Sequence, residues 1–353
     1  MSTTKTDIAW TDRTWNPVRG CTRVSPGCER CYAEGIAYRF SGPGKPFEGL
    51  ARKVNGHPQW TGVVRTVESA LLEPLSWRPI TEPCEPCLGS GSDPTGADHI
   101  ACGWCRGKGT VTRGLRVFVN SMSDLFHEDV PDEFIDKVFA VMASSRHTFQ
   151  ILTKRPERMR AYIEGFVDAR GNHASRRLGC ELRWPLPNVW LGVSVENQKY
   201  ADERIPLLLQ TPAVVRFISA EPLLGPIRFA DVPGFNKAGS AGVEMLRRFW
   251  VIVGGESGAK ARPMDLAWAR SIVQQCKAAS VAVFVKQAGA FPLVPAGRQT
   301  HWDYRFVKRP EGEQFVEHDG EHWRMRLLDK KGGDIEELPE WARVREFPAV
   351  ART

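Results

Sequence analysis

The sequence contains no long hydrophobic run and no apolar leader, and these two absences argue against several classes of protein. No stretch approaches the roughly 18 consecutive apolar residues that a membrane-spanning helix requires. The first seven residues are polar and lack the apolar core of a secretion signal. We therefore expect a protein that has no membrane contact and works in the cytoplasm.

The chain has slightly fewer acidic than basic residues. The chain has 41 Asp and Glu against 48 Lys and Arg, which gives a net charge of +7. Between Arg146 and Arg183, nine basic and four acidic residues leave a local charge of +5. Such a region attracts phosphates, so a nucleic acid or another phosphate-bearing substrate is a candidate partner. An ordinary solvated surface is the alternative explanation.

Cysteine is not scarce, since the chain has nine. Seven of them lie in two groups, at residues 21–31 and 84–105, each containing C-x2-C pairs. Grouped cysteines in a reducing compartment favour metal binding over disulfides. Cys180 and Cys276 stand apart, and Cys276 follows a helical pattern that predicts a core thiol.

Short runs rich in Val, Ile and Phe predict strands that are buried on both faces. The runs are Val117–Asn120, Phe149–Thr153, Val189–Val195, Val214–Ala220, Trp250–Val253 and Val281–Val285. A first strand near Ile8–Trp15 brings the expected number to about seven. Helical spacing of apolar residues occurs between them, at Pro131–Ala143, Asn197–Leu209 and Leu266–Ala279. The alternation predicts an α/β fold with a parallel sheet, which fits a full or partial (β/α) barrel.

Polar side chains follow these strands at the ends where (β/α) barrels carry their active sites. The candidates are Ser121, Ser123, Asp124, Lys154, Ser194, Glu196, Glu221, Glu256 and Lys286. A helix cap or a loop contact would explain any one of them, and Asp124 and Glu196 suit capping roles. Their recurrence at six strand ends indicates a shared site.

Two copies of the pattern C-x2-C-x-G-x-G lie close together, the first with Cys84 and Cys87 and the second with Cys102 and Cys105. Four cysteines at this spacing suit a closed, structural zinc site. A second iron–sulfur cluster is the alternative. Over about 26 residues the pattern resembles the zinc repeat of DnaJ-type chaperones, which does not imply chaperone activity. It predicts a zinc insert at residues 81–113.

Cys21, Cys28 and Cys31 lie on a loop rich in Gly and Pro, with the spacing C-x6-C-x2-C. Three thiolates so close together can hold three irons of a [4Fe–4S] cluster and leave the fourth iron open to a small molecule. Half of a zinc site completed by a histidine, or three free thiols, would explain the same residues.

The sequence around these cysteines resembles a known group of enzymes. Residues 16–21, Asn-Pro-Val-Arg-Gly-Cys, and residues 31–34, Cys-Tyr-Ala-Glu, resemble the cluster loop of radical S-adenosylmethionine (SAM) enzymes related to the spore photoproduct lyases, with three extra residues. More closely, the chain resembles the phage-associated three-cysteine-motif family. That likeness continues through Phe118–His127, Leu152–Pro156, Ser219–Leu223, Val253–Gly258, Lys286–Gly289 and Asp329–Asp334.

The resemblance implies a barrel of the radical-SAM type and a set of cofactors. Cys21, Cys28 and Cys31 would hold a [4Fe–4S] cluster, and SAM would bind its open iron beside Tyr32 and the strand-end residues. Acidic and hydroxyl groups would take the amine and ribose hydroxyls of SAM, while Lys154 or Lys286 would meet a carboxylate or phosphate. An electron donor would be a necessary partner.

We accordingly divide the chain into four parts. Residues 1–80 hold the cluster loop and the first part of the barrel, 81–113 the zinc insert, and 114–290 the rest of the barrel. Residues 291–353 form a C-terminal extension, predicted as a small β structure. Its strand-like stretches lie around His301–Val307, Gln314–His318 and His322–Leu327.

Three functions are compatible with these features. The first is a radical SAM enzyme that acts on a nucleic acid or nucleotide-type substrate. The second keeps the radical chemistry but directs it at a peptide or a dedicated partner protein. The third is a non-catalytic nucleic-acid-binding protein with two zinc sites, which explains the charge but not the polar groups at six strand ends.

Overall fold

A sheet of seven parallel strands forms the centre of the computed structural model, which describes residues 6–92, 100–165, 184–235, 248–258, 260–296, 315–317 and 319–348. The strands are β1 (Arg13–Trp15), β2 (Arg116–Val119), β3 (Thr148–Thr153), β4 (Val189–Ser194), β5 (Val215–Ala220), β6 (Phe249–Gly254) and β7 (Ala282–Gln287). Each strand pairs with the next one along the chain. In the described residues β1 and β7 do not pair with each other, so the sheet is a half-barrel.

Helices lie between successive strands of this sheet along most of the chain. In the described residues they are α1 (Tyr32–Arg39), α2 (Asp132–Ala143), α3 (Pro156–Glu164), α4 (Gln198–Gln210) and α5 (Leu266–Ala278). The side chains of Asn197 and Asp265 cap α4 and α5 by accepting backbone N–H groups. The three predicted helical segments correspond to α2, α4 and α5, with ends that differ by one residue. Periodicity missed α1, because its buried face uses the small residues Ala33 and Ala37.

Strand residues alternate between two cores, as the two-residue period of a strand requires. In β4, Val189, Leu191 and Val193 belong to the larger core that includes the helices, whereas Trp190 faces the concave side. The concave core is largely aromatic and contains Trp10, Phe118, Trp190, Phe217, Trp250 and Phe284. These rings fill the part of the half-barrel near the beginnings of the strands. The polar residues at the strand ends therefore border the remaining space.

The C-terminal tail covers the free edge of β7. The Val285 N–H donates to the carbonyl of Val344 at 2.8 Å, and the Glu346 N–H donates to Val283 at 3.0 Å. Phe347 then packs against the ring of Trp250, with ring centroids 5.2 Å apart. An open strand edge invites pairing with another chain, so this cover stabilises the half-barrel as it stands.

The C-terminal extension contributes to a second, four-stranded sheet. Its strands, in sheet order, are Met264–Asp265, Pro292–Pro295, His322–Met325 and Phe315–Glu317. Two of the predicted strand-like stretches therefore contain strands, within His322–Leu327 and Gln314–His318. The third, His301–Val307, lies outside the described residues, as does Cys180.

Three two-stranded antiparallel sheets and several single turns complete the described residues. The sheets pair Val18–Arg19 with Arg65–Thr66, Ala51–Val54 with His57–Trp60, and Ile80–Pro83 with Thr110–Arg113, and the second of them is a hairpin. The 3-10 turns are Pro26–Cys28, Glu68–Ala70, Glu73–Ser76, Glu85–Cys87, Phe229–Asp231, Ile335–Glu337 and Glu340–Ala342. None of the helices in the described part of the chain has the length and apolar character needed to cross a bilayer.

The third of these sheets is the stem of the four-cysteine insert, and Asp12 ties it to the half-barrel. Arg113 on the stem donates to both carboxylate oxygens of Asp12 at 2.7 and 3.2 Å, and the Arg116 backbone N–H donates at 2.7 Å. Burial alone would raise the pKa of Asp12. The hydrogen bonds and positive charge of Arg113 and Arg116 outweigh burial and lower the pKa of this carboxyl to about 2. The insert is therefore held at the start of β1 and β2, away from the ends of the strands where the polar residues lie.

Candidate active site and metal centre

A cavity of about 240 Å³ opens at the C-terminal ends of the strands, where the polar residues were predicted to meet. Of the thirteen residues predicted to bind the cluster or SAM, twelve line it. They are Cys21, Cys28, Cys31, Tyr32, Ser121, Ser123, Asp124, Lys154, Ser194, Glu221, Glu256 and Lys286. The thirteenth, Glu196, is completely buried and does not line the cavity.

The three N-terminal cysteines share this cavity but do not form a compact group. In the described residues, four other cysteines have all their ligand atoms within 4.8 Å of one another, and Cys21, Cys28 and Cys31 do not form such a set. Bonds of about 2.3 Å to a tetrahedral zinc would bring the sulfurs to about 3.8 Å. The three thiols therefore do not converge on one point as the four cysteines of the insert do. A cluster in which each sulfur binds a different iron accommodates a wider spacing.

The Cys21 thiol lies between groups of opposite charge. Burial and the Asp124 carboxylate raise its pKa to about 12, whereas Arg155 opposes this rise. An Arg155 N–H points at the Cys21 sulfur at 4.0 Å, and the same guanidinium binds Asp124 and the hydroxyl of Thr22. Burial also raises the pKa of Cys31 above its usual value. Both thiols therefore keep their protons at neutral pH unless a cation compensates the thiolate charge.

Glu196 supports the cysteine loop, residues 21–31, on the side that faces away from the cavity. The Ser25 hydroxyl donates to this carboxylate at 2.6 Å, and the buried guanidinium of Arg204 donates to it at 3.2 Å. Gly27 lies so close that a Cβ there would be 2.3 Å from a Glu196 oxygen, which explains the glycine. Glu196 was predicted as a rim residue that contacts SAM. The structure instead places it where it holds the loop between Cys21 and Cys28.

Two further ion pairs hold the same loop. Arg23 on the loop donates twice to the buried carboxylate of Glu34 on α1, at 2.9 and 2.5 Å. From the other side, Arg262 donates to the Pro26 carbonyl at 2.9 Å and contacts the Glu256 carboxylate through its guanidinium and its backbone N–H. Most of the hydrogen-bonding capacity of Glu256 is used for this support.

We expect Glu196→Gln to destabilise the protein by about 3 kcal/mol, because it leaves the buried Arg204 without its charge partner. The measurement is the free energy of unfolding in denaturant. Glu203→Gln is the matched control, since Glu203 lies on the exposed side of α4 and pairs with Lys199 at 3.9 Å. Its loss should cost less than about 1 kcal/mol. Equal losses in the two variants would contradict the supporting role of Glu196.

Glu221 and Lys286 form an ion pair in the cavity wall. Their charged atoms are 2.9 Å apart, and the Ser219 hydroxyl donates to the second Glu221 oxygen at 3.2 Å. Both side chains remain partly exposed to the cavity. A ligand that carries an ammonium and a carboxylate on one carbon presents the complementary pair of charges.

Asn120, at the end of β2, has an unsatisfied amide. It is 2% exposed, it lines the cavity, and neither its Nδ2 nor its Oδ1 has a hydrogen-bond partner. The indole N–H of Trp10, which also lines the cavity, is unsatisfied as well. A buried polar group without a partner costs roughly 1–3 kcal/mol. A polar ligand in the cavity would recover part of that cost.

The other predicted rim residues are engaged with the protein. Asp124 accepts from the Thr153 hydroxyl and from three N–H groups, so it acts as a structural anchor, as its alternative capping role implied. The hydroxyls of Ser121 and Ser123 bond to Asn16 and to the Val18 carbonyl. The Tyr32 hydroxyl donates to the Ser121 carbonyl at 2.6 Å.

Sequence reasoning missed two of the three arginines that shape the site. Arg155 was predicted at the strand end beside Lys154, as a contact for phosphate, whereas in the structure it binds Asp124 and Glu128. Arg204 and Arg262 reach the site from α4 and from the loop after β6, and no local pattern marks them. His127 is also completely buried, and its Nε2 lies 2.8 Å from the Thr22 hydroxyl. Burial lowers the pKa of His127, so we interpret it as a neutral partner of Thr22.

Cys84, Cys87, Cys102 and Cys105 form a second, separate site that could hold a metal ion. All four are buried, and the sulfurs of Cys84 and Cys102 are 3.8 Å apart. Burial opposes ionisation of Cys87, but the Gly91 N–H and the neighbouring thiols lower its pKa to about 6. Four convergent sulfurs, one of them readily ionised, suit a soft divalent cation.

The glycines explain how each half of this site folds. Leu88 and Arg106 have positive φ, and so do the glycines that follow them at 89, 91, 107 and 109. The two halves therefore share one backbone turn. It directs the N–H groups of Gly91 and Gly109 to the sulfurs of Cys87 and Cys105, both at 3.3 Å.

The basic segment predicted at residues 146–183 is largely neutralised in its described part. Lys154 lies 3.8 Å from Glu196, and Arg155 binds Asp124 and Glu128. On α3, Arg158 pairs with Asp132 and Arg160 with Glu164. These cations therefore offer little free charge to a phosphate. Residues 166–183 lie outside the described residues.

Fold and site together define an α/β half-barrel protein with a cysteine-lined cavity and a separate buried four-cysteine site. The chain belongs to the family described as protein of unknown function (DUF5131), which it matches over residues 5–328. No curated protein and no solved structure matches the chain.

Proposed function

We propose that the protein is a radical SAM enzyme in which Cys21, Cys28 and Cys31 hold a [4Fe–4S] cluster and SAM binds in the cavity. The observation that carries the proposal is the convergence of three thiols, an ion pair and an unsatisfied amide on one cavity. Among the described residues the three thiols do not form a convergent single-metal set, which favours a cluster over half of a zinc site.

Cys21, Cys28 and Cys31 would hold the cluster, and the chemistry it would supply is one-electron reductive cleavage of SAM to methionine and a 5′-deoxyadenosyl radical able to take a hydrogen atom from the substrate. The electron must come from an external one-electron donor. The residues of the chain would bind and orient the reactants. Glu221 would accept the ammonium of SAM, Lys286 its carboxylate, and Asn120 a donor–acceptor pair on SAM or on the substrate.

In the second site we propose zinc. The sulfurs of Cys84 and Cys102, and of Cys87 and Cys105, are 3.8 and 3.7 Å apart, close to what a tetrahedral zinc requires. All four positions would be filled by sulfur, which leaves none for a substrate. The zinc would therefore stabilise the insert and take no part in the reaction.

Among the alternatives, a non-catalytic protein with two zinc sites explains the observations less well. It requires zinc on three thiols that do not converge as a single-metal set in the described residues, and it leaves the Glu221–Lys286 pair and Asn120 without a role. A radical enzyme that acts on a peptide would use the same cavity. The charge and the exposed aromatic residues around the cavity mouth distinguish a peptide substrate from a nucleic-acid substrate.

The test is SAM cleavage by anaerobically reconstituted, chemically reduced protein, with 5′-deoxyadenosine measured by chromatography. We expect slow formation without any substrate. Glu221→Gln should weaken SAM binding about tenfold, because a charge-assisted hydrogen bond is lost. Glu203→Gln, on the outside of α4, should have no effect. Absence of 5′-deoxyadenosine from protein with a full complement of iron would exclude the proposed chemistry, and unchanged SAM affinity in Glu221→Gln would exclude the role of Glu221.

A further inference from the structure

Residues 19–66, here called the basic module, form the side of the cavity mouth that carries the cysteines. In this module α1 packs against the hairpin of residues 51–60 through a small apolar core. Arg30, Tyr32 and Trp60 of the module line the cavity. A large molecule that presents one of its groups to the cavity would therefore contact the module.

The basic module carries free positive charge. It has eight Lys and Arg against three Glu, which gives a net charge of +5 in 48 residues. Arg23 pairs with Glu34. The other exposed cations have no carboxylate partner among the described residues, and they are Arg30, Arg39, Lys45, Arg52, Lys53 and Arg65. This is the opposite of α3, whose arginines are paired.

The exposed face of α1 adds apolar surface to the module. Tyr32, Ile36 and Phe40 follow one another at four-residue spacing and are 52%, 38% and 44% exposed. Residues at this spacing form one stripe along a helix. Arg39 borders the stripe, which begins at the cavity because Tyr32 belongs to its wall. Single exposed apolar residues are common, but an apolar stripe beside Arg39, on a module with further unpaired cations, suits a ligand with both flat rings and negative charge.

We propose that the basic module binds single-stranded nucleic acid and presents it to the cavity. Its unpaired cations would contact phosphates, and unpaired bases would stack on the rings of Tyr32 and Phe40. A duplex hides its base faces and could use only the charges. An acidic polypeptide would likewise leave the aromatic stripe without a partner. The proposal gives a substrate class to the proposed function. It rests on that function only for the reaction of the bound strand, because binding of the strand does not require radical chemistry.

The experiment measures polarisation of labelled single-stranded DNA and RNA and of duplex DNA, with the full-length, metal-loaded protein at salt concentrations from about 50 to 200 mM. The triple variant Arg39→Gln, Arg52→Gln, Arg65→Gln removes three of the unpaired cations. We expect its log–log dependence of affinity on salt to be shallower by about two units, since each lost phosphate contact on a single strand contributes about 0.7.

The control variant changes the net charge by the same amount elsewhere. Lys137→Gln, Arg160→Gln and Lys199→Gln together remove three cations that pair with Glu68, Glu164 and Glu203. Affinity should change less than twofold. Equal losses in the two triple variants would mean that only net charge matters, and the proposed surface would be wrong.

The aromatic stripe is tested separately by Phe40→Ala, which we expect to weaken single-strand binding roughly tenfold through lost base stacking. Leu72→Ala is the control, because Leu72 is a 66% exposed apolar residue outside the module. Loss of duplex binding to the same extent as single-strand binding would overturn the stacking role. Displacement of the strand by polyglutamate at equal charge concentration would indicate an acidic protein partner instead.

Binding and radical chemistry can fail independently in these measurements. Single-strand binding together with absence of 5′-deoxyadenosine would leave the surface assignment standing and exclude the proposed function. SAM cleavage without binding of any oligonucleotide at low salt would retain the radical chemistry and exclude nucleic acid as its substrate.

Discussion

Replacement of Cys21, Cys28 and Cys31 together by alanine is expected to remove all cluster iron from the protein and to abolish SAM cleavage. The wild-type chain, reconstituted without oxygen, should hold about four irons beyond zinc and be brown, as expected for a [4Fe–4S] cluster on three cysteines. Iron and sulfide analysis and the visible spectrum measure the change. The effect should be complete, because the described residues offer no other set of thiols at the cavity.

Cys276→Ala is the control for this triple variant. Cys276 is a buried core thiol on α5 and lies outside both cysteine groups. The control should keep its iron and its spectrum. Full iron retention in the triple variant would contradict the assignment of the cluster to these cysteines.

Replacement of Cys102 by serine is expected to release one zinc per chain and to unfold the insert. The bound metal supplies much of the folding free energy of a small domain, about 10–16 kcal/mol for zinc-finger peptides. Metal analysis should show loss of zinc, and limited proteolysis should show new cleavage within residues 81–113. The cavity should keep its iron, because Asp12 ties the insert to the beginnings of β1 and β2 and the cysteine loop lies at the strand ends.

Cys276→Ser serves as the control here, since it changes a buried thiol outside both sites and should leave the zinc in place. Loss of both metals from the Cys102→Ser protein would show that the two sites are not independent. Retention of zinc in that protein would show that Cys102 is not a ligand.

Strands β2 to β7 could be predicted within two residues at each end. Strands buried on both faces are nearly continuous apolar runs, and this local signal is strong. The first strand was less clear, since the run from Ile8 to Trp15 contains only the short strand Arg13–Trp15. Trp10, which precedes it, fills the concave core instead. From sequence alone, a tryptophan that precedes a strand and packs into the concave core cannot be distinguished from a tryptophan within the strand.

The position of the site could be predicted as well, because all strands of a parallel sheet end at the same edge. The roles within the site could not. Ser194 ends β4 and faces the cavity, whereas Glu196, two residues further, turns behind it and supports the loop at Ser25. Beyond the end of a strand the alternation of side chains no longer applies, so direction depends on the loop.

Sequence alone determined which segments are buried and where cysteines and polar groups gather along the chain, because burial and ligand spacing are local properties. Only the tertiary structure decided which charges remain free. The partners of Lys154 and Arg155 lie at Glu196 and Asp124, far along the chain, and the strand order brings them together. Those pairs neutralise the segment that looked basic, whereas Arg39, Arg52 and Arg65 meet no carboxylate in the described residues. Coulomb attraction weakens with distance in space and is screened by salt, and a count of charges along the chain cannot measure that distance.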